Sequence, residues 1–119
     1  MKLYGYYRSS AAYRVRIALN LKGIPHSHVP VNLLNSEQKG EAYNAVNTQG
    51  LVPTLSLESG ERIGQSTAIL EYLESEYPEF PLLPANAIEA AKVRAWANTI
   101  ACDIHPLNNL RVQKYLAGT

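Results

Sequence analysis

Cysteine is almost missing from this 119-residue chain: Cys102 is the only one. A single thiol excludes an internal disulfide framework and any multi-cysteine metal centre. Net charge is also scarce. The 11 Lys and Arg nearly cancel the 10 Asp and Glu, leaving +1 and no basic field suited to nucleic acid. No apolar run reaches the length that crosses a bilayer. Met1-Lys2-Leu3-Tyr4 opens without the long apolar core of a secretion signal. Internal repeats and low-complexity stretches are absent. With 46% apolar and 18% charged residues, these absences predict a cytoplasmic globular protein with one real but short core.

What is present is organised around Tyr6 to Gly23. The segment begins as a strand end and finishes as a helix. Either Ser9 or Ser10 can accept hydrogen bonds from the open amides of a first helical turn. Val15, Ala18, Leu19 and Lys22 recur at helical spacing, with Ile17 and Leu21 widening the apolar side. Gly23 suits a left-handed cap and Pro25 blocks continuation. A hydroxyl pair therefore stands at the positive end of a helix, where an anion is favoured. Serines in such places are more often caps than catalysts.

The remaining chain supplies a framework. Lys2 to Tyr7 is strand one, and a helix runs from about Ser10 to Lys22. Ser27 to Asn32 is strand two, at a sheet edge because Pro30 cannot donate to a ladder. Strand, crossover helix and strand imply a parallel unit. Glu37 to Ala45 makes a short helix. Strand three starts near Thr54, Ser59-Gly60 turns a hairpin and Glu61 to Ile63 is strand four. Ser66 is expected to cap a helix whose buried stripe is Ile69, Leu70, Leu73 and Tyr77, stopped by Pro78. Three prolines between Pro78 and Pro84 read as a semi-rigid linker at 81–85. Beyond it, Asn86 to Glu89 has the spacing of a helix start. Ala90, Val93, Ala97, Ile100 and Ile104 form a stripe that needs a partner helix, until Pro106 kinks or ends it. Asn108 to Tyr115 opens another helical piece. Residues 1–80 thus predict an α/β domain with a four-stranded mixed sheet. Residues 86–119 predict the opening of an all-α domain whose remainder is absent.

These elements resemble a known family. The βαβ–ββα order, with Val52-Pro53-Thr54-Leu55 before strand three, is similar to the thioredoxin-like domain of glutathione transferases. Three motifs narrow the resemblance to the zeta class of maleylacetoacetate and maleylpyruvate isomerases: Ser9-Ser10-Ala11-Ala12-Tyr13-Arg14-Val15-Arg16-Ile17-Ala18-Leu19, Gln65-Ser66-Thr67-Ala68-Ile69 and Cys102-Asp103-Ile104-His105-Pro106-Leu107-Asn108-Asn109. Ala11 stands where many zeta enzymes have a cysteine, which the isomerisation does not require.

The resemblance implies glutathione as cofactor, a small maleyl dicarboxylate as substrate and a homodimer. The reaction would be glutathione-dependent cis–trans isomerisation to the fumaryl product, in the catabolism of aromatic amino acids or other aromatic compounds. It assigns thiolate stabilisation to Ser9, assisted by Ser10. Further glutathione contacts fall on Gln38, Gln49, Val52, Gln65, Ser66, His105 and Asn108, and Arg8 is a candidate for the substrate carboxylates. It also implies a cis Val52-Pro53 bond, where the residues alone favour trans. Gln65 and Ser66 at a helix N-terminus suit the γ-glutamyl carboxylate; Ser66 as a plain cap is the bland alternative. Arg8, Arg14 and Arg16 add local positive charge. Tyr6 and Tyr7 are expected to pack on strand one, and are the alternative thiolate donors because other transferase classes use a tyrosine there. Cys102 reads as a small buried residue and Trp96 as packing between domains. Two other functions compete: a general transferase catalysing conjugation, dehalogenation or peroxide reduction, and a non-catalytic glutathione-binding or interaction module. A thiol–disulfide oxidoreductase would need a cysteine near residues 9 to 12, and none is there.

Overall fold

A computed structural model describes residues 1–118. The strands are β1 (Lys2–Gly5), β2 (Ser27–Pro30), β3 (Thr54–Ser56) and β4 (Arg62–Gly64). The helices are α1 (Ser10–Leu21), α2 (Glu41–Asn44), α3 (Ser66–Glu76), α4 (Ala87–Asn98) and α5 (Leu110–Leu116). The sheet has the order β2-β1-β3-β4, with β1 parallel to β2 and antiparallel to β3, and β3 antiparallel to β4. This is the mixed four-stranded sheet that the sequence predicts, with Pro30 on an edge strand. The chain divides into two compact units, Met1–Leu82 and a second that begins at Leu83.

Several boundaries differ from expectation for local reasons. Strand β1 stops at Gly5 because the Tyr6 carbonyl turns to accept the Ser9 amide at 2.9 Å. Beyond Pro30, the Val31 amide still reaches the Gly5 carbonyl at 2.8 Å. Asn32 then leaves the sheet, its Oδ1 accepting the Leu34 amide at 3.0 Å. The short helix after β2 splits into a 3-10 turn at Glu37–Lys39 and α2, separated by Gly40 in extended conformation. Strand β4 includes Gly64, which pairs with Thr54.

Strand alternation places Leu3 and Leu55 opposite one another on one face of the sheet. They join Val15, Ala18, Leu19, Ile24, Ile69 and Leu73 in a single core beneath α1 and α3. Each of the Val, Leu and Ile side chains contributes about 1.5–3 kcal/mol on leaving water. Helix α1 can lie this close to the sheet because Gly5 has no side chain. A Cβ there would stand 3.1 Å from the Ala12 Cβ.

Lys22 caps the C-terminus of α1 and ties down the chain that follows α3. Its Nζ donates to the Tyr77 and Phe80 carbonyls, both at 2.8 Å, and pairs with Glu74 Oε2 at 2.9 Å. Both Glu74 oxygens accept the Leu82 amide at 3.0 Å. The Lys22 side chain is fully buried.

In the second unit, Asn86 caps α4 by accepting the Ile88 and Glu89 amides at 2.9 and 3.1 Å. Pro106 has no amide to donate, and its ring crowds the carbonyl four residues back. The helix widens before it into a π-helical turn at Thr99–Ile104, and the His105 amide reaches the Ile100 carbonyl at 2.8 Å. The π-helical turn breaks the three-and-four spacing read from the sequence. Ala90 is buried, whereas Val93, Ile100 and Ile104 are exposed. The expected burial of Cys102 fails, since it is exposed, and Trp96 is 78% exposed. Residue type favours burial for both. Among the described residues, no helix is long and apolar enough to cross a membrane.

Replacing Lys22 with Met removes the buried cation shared by Glu74 and two carbonyls. Lys22→Met is expected to cost about 3 kcal/mol in urea unfolding. A loss below about 1 kcal/mol would place the contact with ordinary surface ion pairs.

Candidate functional site

Strand direction gathers the candidate residues at one end of the sheet. Strand β1 runs up into the Tyr6–Ser9 turn. Antiparallel β3 comes down beside it with Thr54 opposite Tyr4, so Val52 enters the sheet next to that turn. Strand β4 runs up again with Gly64 opposite Thr54, delivering Gln65 and Ser66 to the same end.

Ser9, not Ser10, is the cap of α1. Its backbone is extended, and its Oγ accepts the Ala12 amide at 3.2 Å. That contact uses a lone pair and leaves the hydroxyl proton to be donated elsewhere. Ser10 is the first helical residue and is exposed. Tyr6 packs as expected, 8% exposed with its hydroxyl shut away from solvent. Tyr7 lies beyond the strand end and is 67% exposed, contrary to the expected packing. The three arginines separate in role. Arg8 is exposed. Arg16 donates to the Tyr7 carbonyl at 3.2 Å and lies 5.3 Å above the Tyr13 ring. Arg14 donates to Ser66 Oγ at 3.3 Å.

Val52 precedes a cis bond to Pro53. Among the described residues, its backbone amide and carbonyl take no part in the ladder or turn hydrogen bonds. Its neighbours are fixed by a chain of donors. Asn47 Nδ2 donates to Thr54 Oγ1 at 3.0 Å, Thr54 and Tyr43 hydroxyls meet at 2.8 Å, and Tyr43 Oη donates to the Leu51 carbonyl at 2.7 Å. Since Tyr43 has one proton and gives it to Leu51, Thr54 is the donor between the two hydroxyls. Asn47 Nδ2 also reaches the Leu51 carbonyl at 3.1 Å. Thr54 is buried, and burial pushes the Tyr43 phenol above its ordinary pKa, against the hydrogen bonds from Thr54 and Asn47.

The expectation that Ser66 caps α3 is corrected. Gln65 holds the cap position with φ 66° and ψ 115°, and Ser66 is the first residue of the helix, 8% exposed. A cap needs non-helical backbone, and Gln65 supplies it at the left-handed φ that non-glycine residues rarely adopt. Outside the helix, Gln65 Nε2 donates to Gln49 Oε1 at 3.0 Å. Gln49 is set by its amide, which donates to Asn47 Oδ1 at 2.9 Å. The following Gly50 has φ 62°, and a Cβ there would stand 2.9 Å from the Gln38 carbonyl. Gln38 itself has a buried side-chain oxygen without a hydrogen-bond partner. His105 and Asn108 belong to the second unit. There His105 is half-buried, and Asn108 Oδ1 accepts from Gln113 Nε2 at 3.1 Å.

Helices usually place acidic residues in the first turn, against the positive pole. Helices α2 and α4 do so with Glu41 and Glu89. The two helices that begin at this end of the sheet, α1 and α3, have none. Their poles remain open to an anion. Sequence shows Asn47 at the head of a turn but not its bonds, and nothing in it shows the hydroxyl contact between Tyr43 and Thr54. Arg14 was visible only as charge.

The β-α-β then β-β-α order on this sheet defines a thioredoxin-like domain. The model of the family "Glutathione S-transferase, N-terminal domain" matches residues 3–81, and the chain belongs to that family. Its homologues include zeta-class transferases and maleylacetoacetate and maleylpyruvate isomerases. A maleylacetoacetate isomerase of Pseudomonas aeruginosa is 49% identical, covering 98% of this chain and 56% of its own length. A maleylpyruvate isomerase of Ralstonia is 48% identical over 100% of this chain and 56% of its own. Among solved structures, a maleylacetoacetate isomerase of Methylobacterium extorquens with bound malonate and GSH has a TM-score of 0.96 at 45% identity, covering 99% of this chain and 55% of that one. The chain therefore spans just over half the length of the curated relatives it matches.

The Tyr43 network generates a stability prediction with a pH signature. Tyr43→Phe is expected to cost about 1–2 kcal/mol at neutral pH by denaturant titration. A raised phenol pKa favours the neutral form in the fold. Its contribution is complete below the unfolded tyrosine pKa, about 10, and is lost as pH rises through the folded value. The variant should accordingly lose less stability than the parent above pH 10. An identical alkaline decline in both would show that Tyr43 is not the group responsible.

Proposed function

We propose that the chain is the glutathione-binding part of a zeta-class maleylacetoacetate or maleylpyruvate isomerase. The observation that carries this is the convergence of Ser9, Val52, Gln65 and Ser66 at one sheet end, below two helix poles with no acidic residue in their first turns. Glutathione is a tripeptide with a carboxylate at each end and a thiol between, and the available groups fit that order. The uncommitted Val52 backbone suits the central cysteinyl residue. The α3 amides with Ser66 suit the γ-glutamyl carboxylate, with Gln65 and Gln49 alongside. Ser9 faces the sulfur. Ser10, Gln38, His105 and Asn108 are the further contacts in this reading, and Arg8 takes a substrate carboxylate.

When bound, glutathione supplies a thiolate that adds reversibly to the maleyl double bond, permits rotation and departs. The protein's share is to keep that sulfur ionised and in place. The Ser9 hydroxyl, already anchored through Ala12, donates a hydrogen bond to the sulfur and keeps its own proton. Burial keeps the Tyr6 hydroxyl from that task. The α1 pole lowers the thiol pKa further. Residues 1–80 form the glutathione-binding domain, 81–85 the linker and 86–119 the opening of the helical domain. The resemblance also supports a cytoplasmic homodimer acting in aromatic-compound breakdown.

The test is turnover of maleylacetone by the natural full-length protein. Losing a donor that stabilises the reacting sulfur costs on the order of 3 kcal/mol, so Ser9→Ala should slow isomerisation about a hundredfold. Ser9→Gly separates the two roles of the residue, because glycine replaces a serine cap at a cost of a few tenths of a kcal/mol, and it should be as slow. Tyr6→Phe and Tyr7→Phe should turn over near the parent rate, with thiolate absorbance intact. Thiolate that survives Ser9→Ala and vanishes in Tyr6→Phe would overturn the serine assignment. Activity toward a chlorodinitrobenzene electrophile without any toward maleylacetone would favour the general transferase. Binding without either would favour the non-catalytic module.

A further inference from the structure

Arg14 has an unusual setting for an arginine. It lies on α1, one turn beyond Ser9 and Ser10, and crosses 52 positions of sequence to donate Nη1 to Ser66 Oγ at 3.3 Å. It is half-buried, and that burial pulls the guanidinium below its ordinary pKa. Among the described residues, no carboxylate pairs with it. Taking a cation partly out of water is costly unless an anion meets it. The partner it has is the first residue of α3, whose opening turn also lacks an acid. Arg8 is exposed, and Arg16 is engaged with the Tyr7 carbonyl and the Tyr13 ring.

We propose that Arg14 is a positioning residue for the γ-glutamyl end of glutathione, which rests on the function proposed above. By donating to Ser66 Oγ it occupies a lone pair of that oxygen. The Ser66 proton is then left to point at the incoming α-carboxylate. The guanidinium adds positive charge behind the α3 pole. Since Arg14 shares α1 with Ser9, the helix that presents the thiolate donor also braces the anchor at the far end of the ligand. The competing role is purely structural, a tie between α1 and α3.

The two roles separate by ligand. The natural full-length protein is titrated calorimetrically with glutathione and with γ-aminobutyryl-cysteinyl-glycine, the same tripeptide without the γ-glutamyl α-carboxylate. Arg14→Met should weaken glutathione about tenfold, the scale of one charge-assisted hydrogen bond, and weaken the analogue less than about twofold. The glutathione KM should rise while kcat at saturation changes little. In a Ser66→Ala background, the Arg14→Met penalty on glutathione should largely disappear. Should Arg14→Met fail to fold, Arg14→Lys carries the same comparison, with selective weakening of glutathione expected again. Equal losses for both ligands, in whichever variant folds, would overturn the positioning role and leave the function above intact. A parent protein that binds neither ligand would overturn that function, and this role with it.

Discussion

The register of β1 against β3, Tyr4 opposite Thr54, is the constraint on which the rest depends. One face of this pair carries Leu3 and Leu55 into the core under α1 and α3. The other carries Tyr4 and Thr54 toward Tyr43, whose ring centroid lies 6.1 Å from that of Tyr4. A slip of one residue would exchange the faces, since strand side chains alternate with a period of two. Leucines would then meet the hydroxyl network and Thr54 would enter the apolar core. Apolar burial and polar satisfaction thus specify one register from opposite sides. The same register sets Val52 beside the turn that carries Ser9.

Local chemistry made much of this legible. The Ser9-Ser10 pair, the stripe after it and Gly23 gave α1 almost to the residue, because a helix with a good cap and a clear stop is defined by its own sequence. Pro30 placed β2 at an edge because a missing amide is a property of one residue. The elements of the first unit followed, and with them the family. What stayed hidden depends on partners distant in sequence. Ser66 has the chemistry of a cap, yet Gln65 takes that position while Ser66 is bonded to Arg14 and Gln65 to Gln49. No local window shows those bonds. Tyr43 likewise sits in a helix of four residues with little pattern, and its value lies in Leu51 and Thr54. Cys102 differs from expectation for a related reason. Residue type suggests burial, but burial requires a covering surface that the stripe of α4 cannot itself provide.

Topology also explains why the poles converge. Strands β1 and β4 both run toward the same end of the sheet, so α1 and α3, the helices that follow them, both begin there. Each contributes roughly half a positive charge at its first turn. Two like poles near one another are unfavourable by themselves, and the usual remedy is an acidic residue at each helix start. The chain uses that remedy at Glu41 and Glu89 but not at α1, α3 or the short α5. Adding half-buried Arg14 raises the positive charge further. A domain arranged for stability alone would gain from an acid in either first turn. On the function proposed above, leaving both open costs a little stability in the empty protein and returns it when an anion is bound. A ligand with a thiolate in its middle and carboxylates at its ends meets both poles at once, whereas a monovalent anion could meet only one. On this electrostatic ground, the sheet end favours an extended, multiply charged ligand over a small ion.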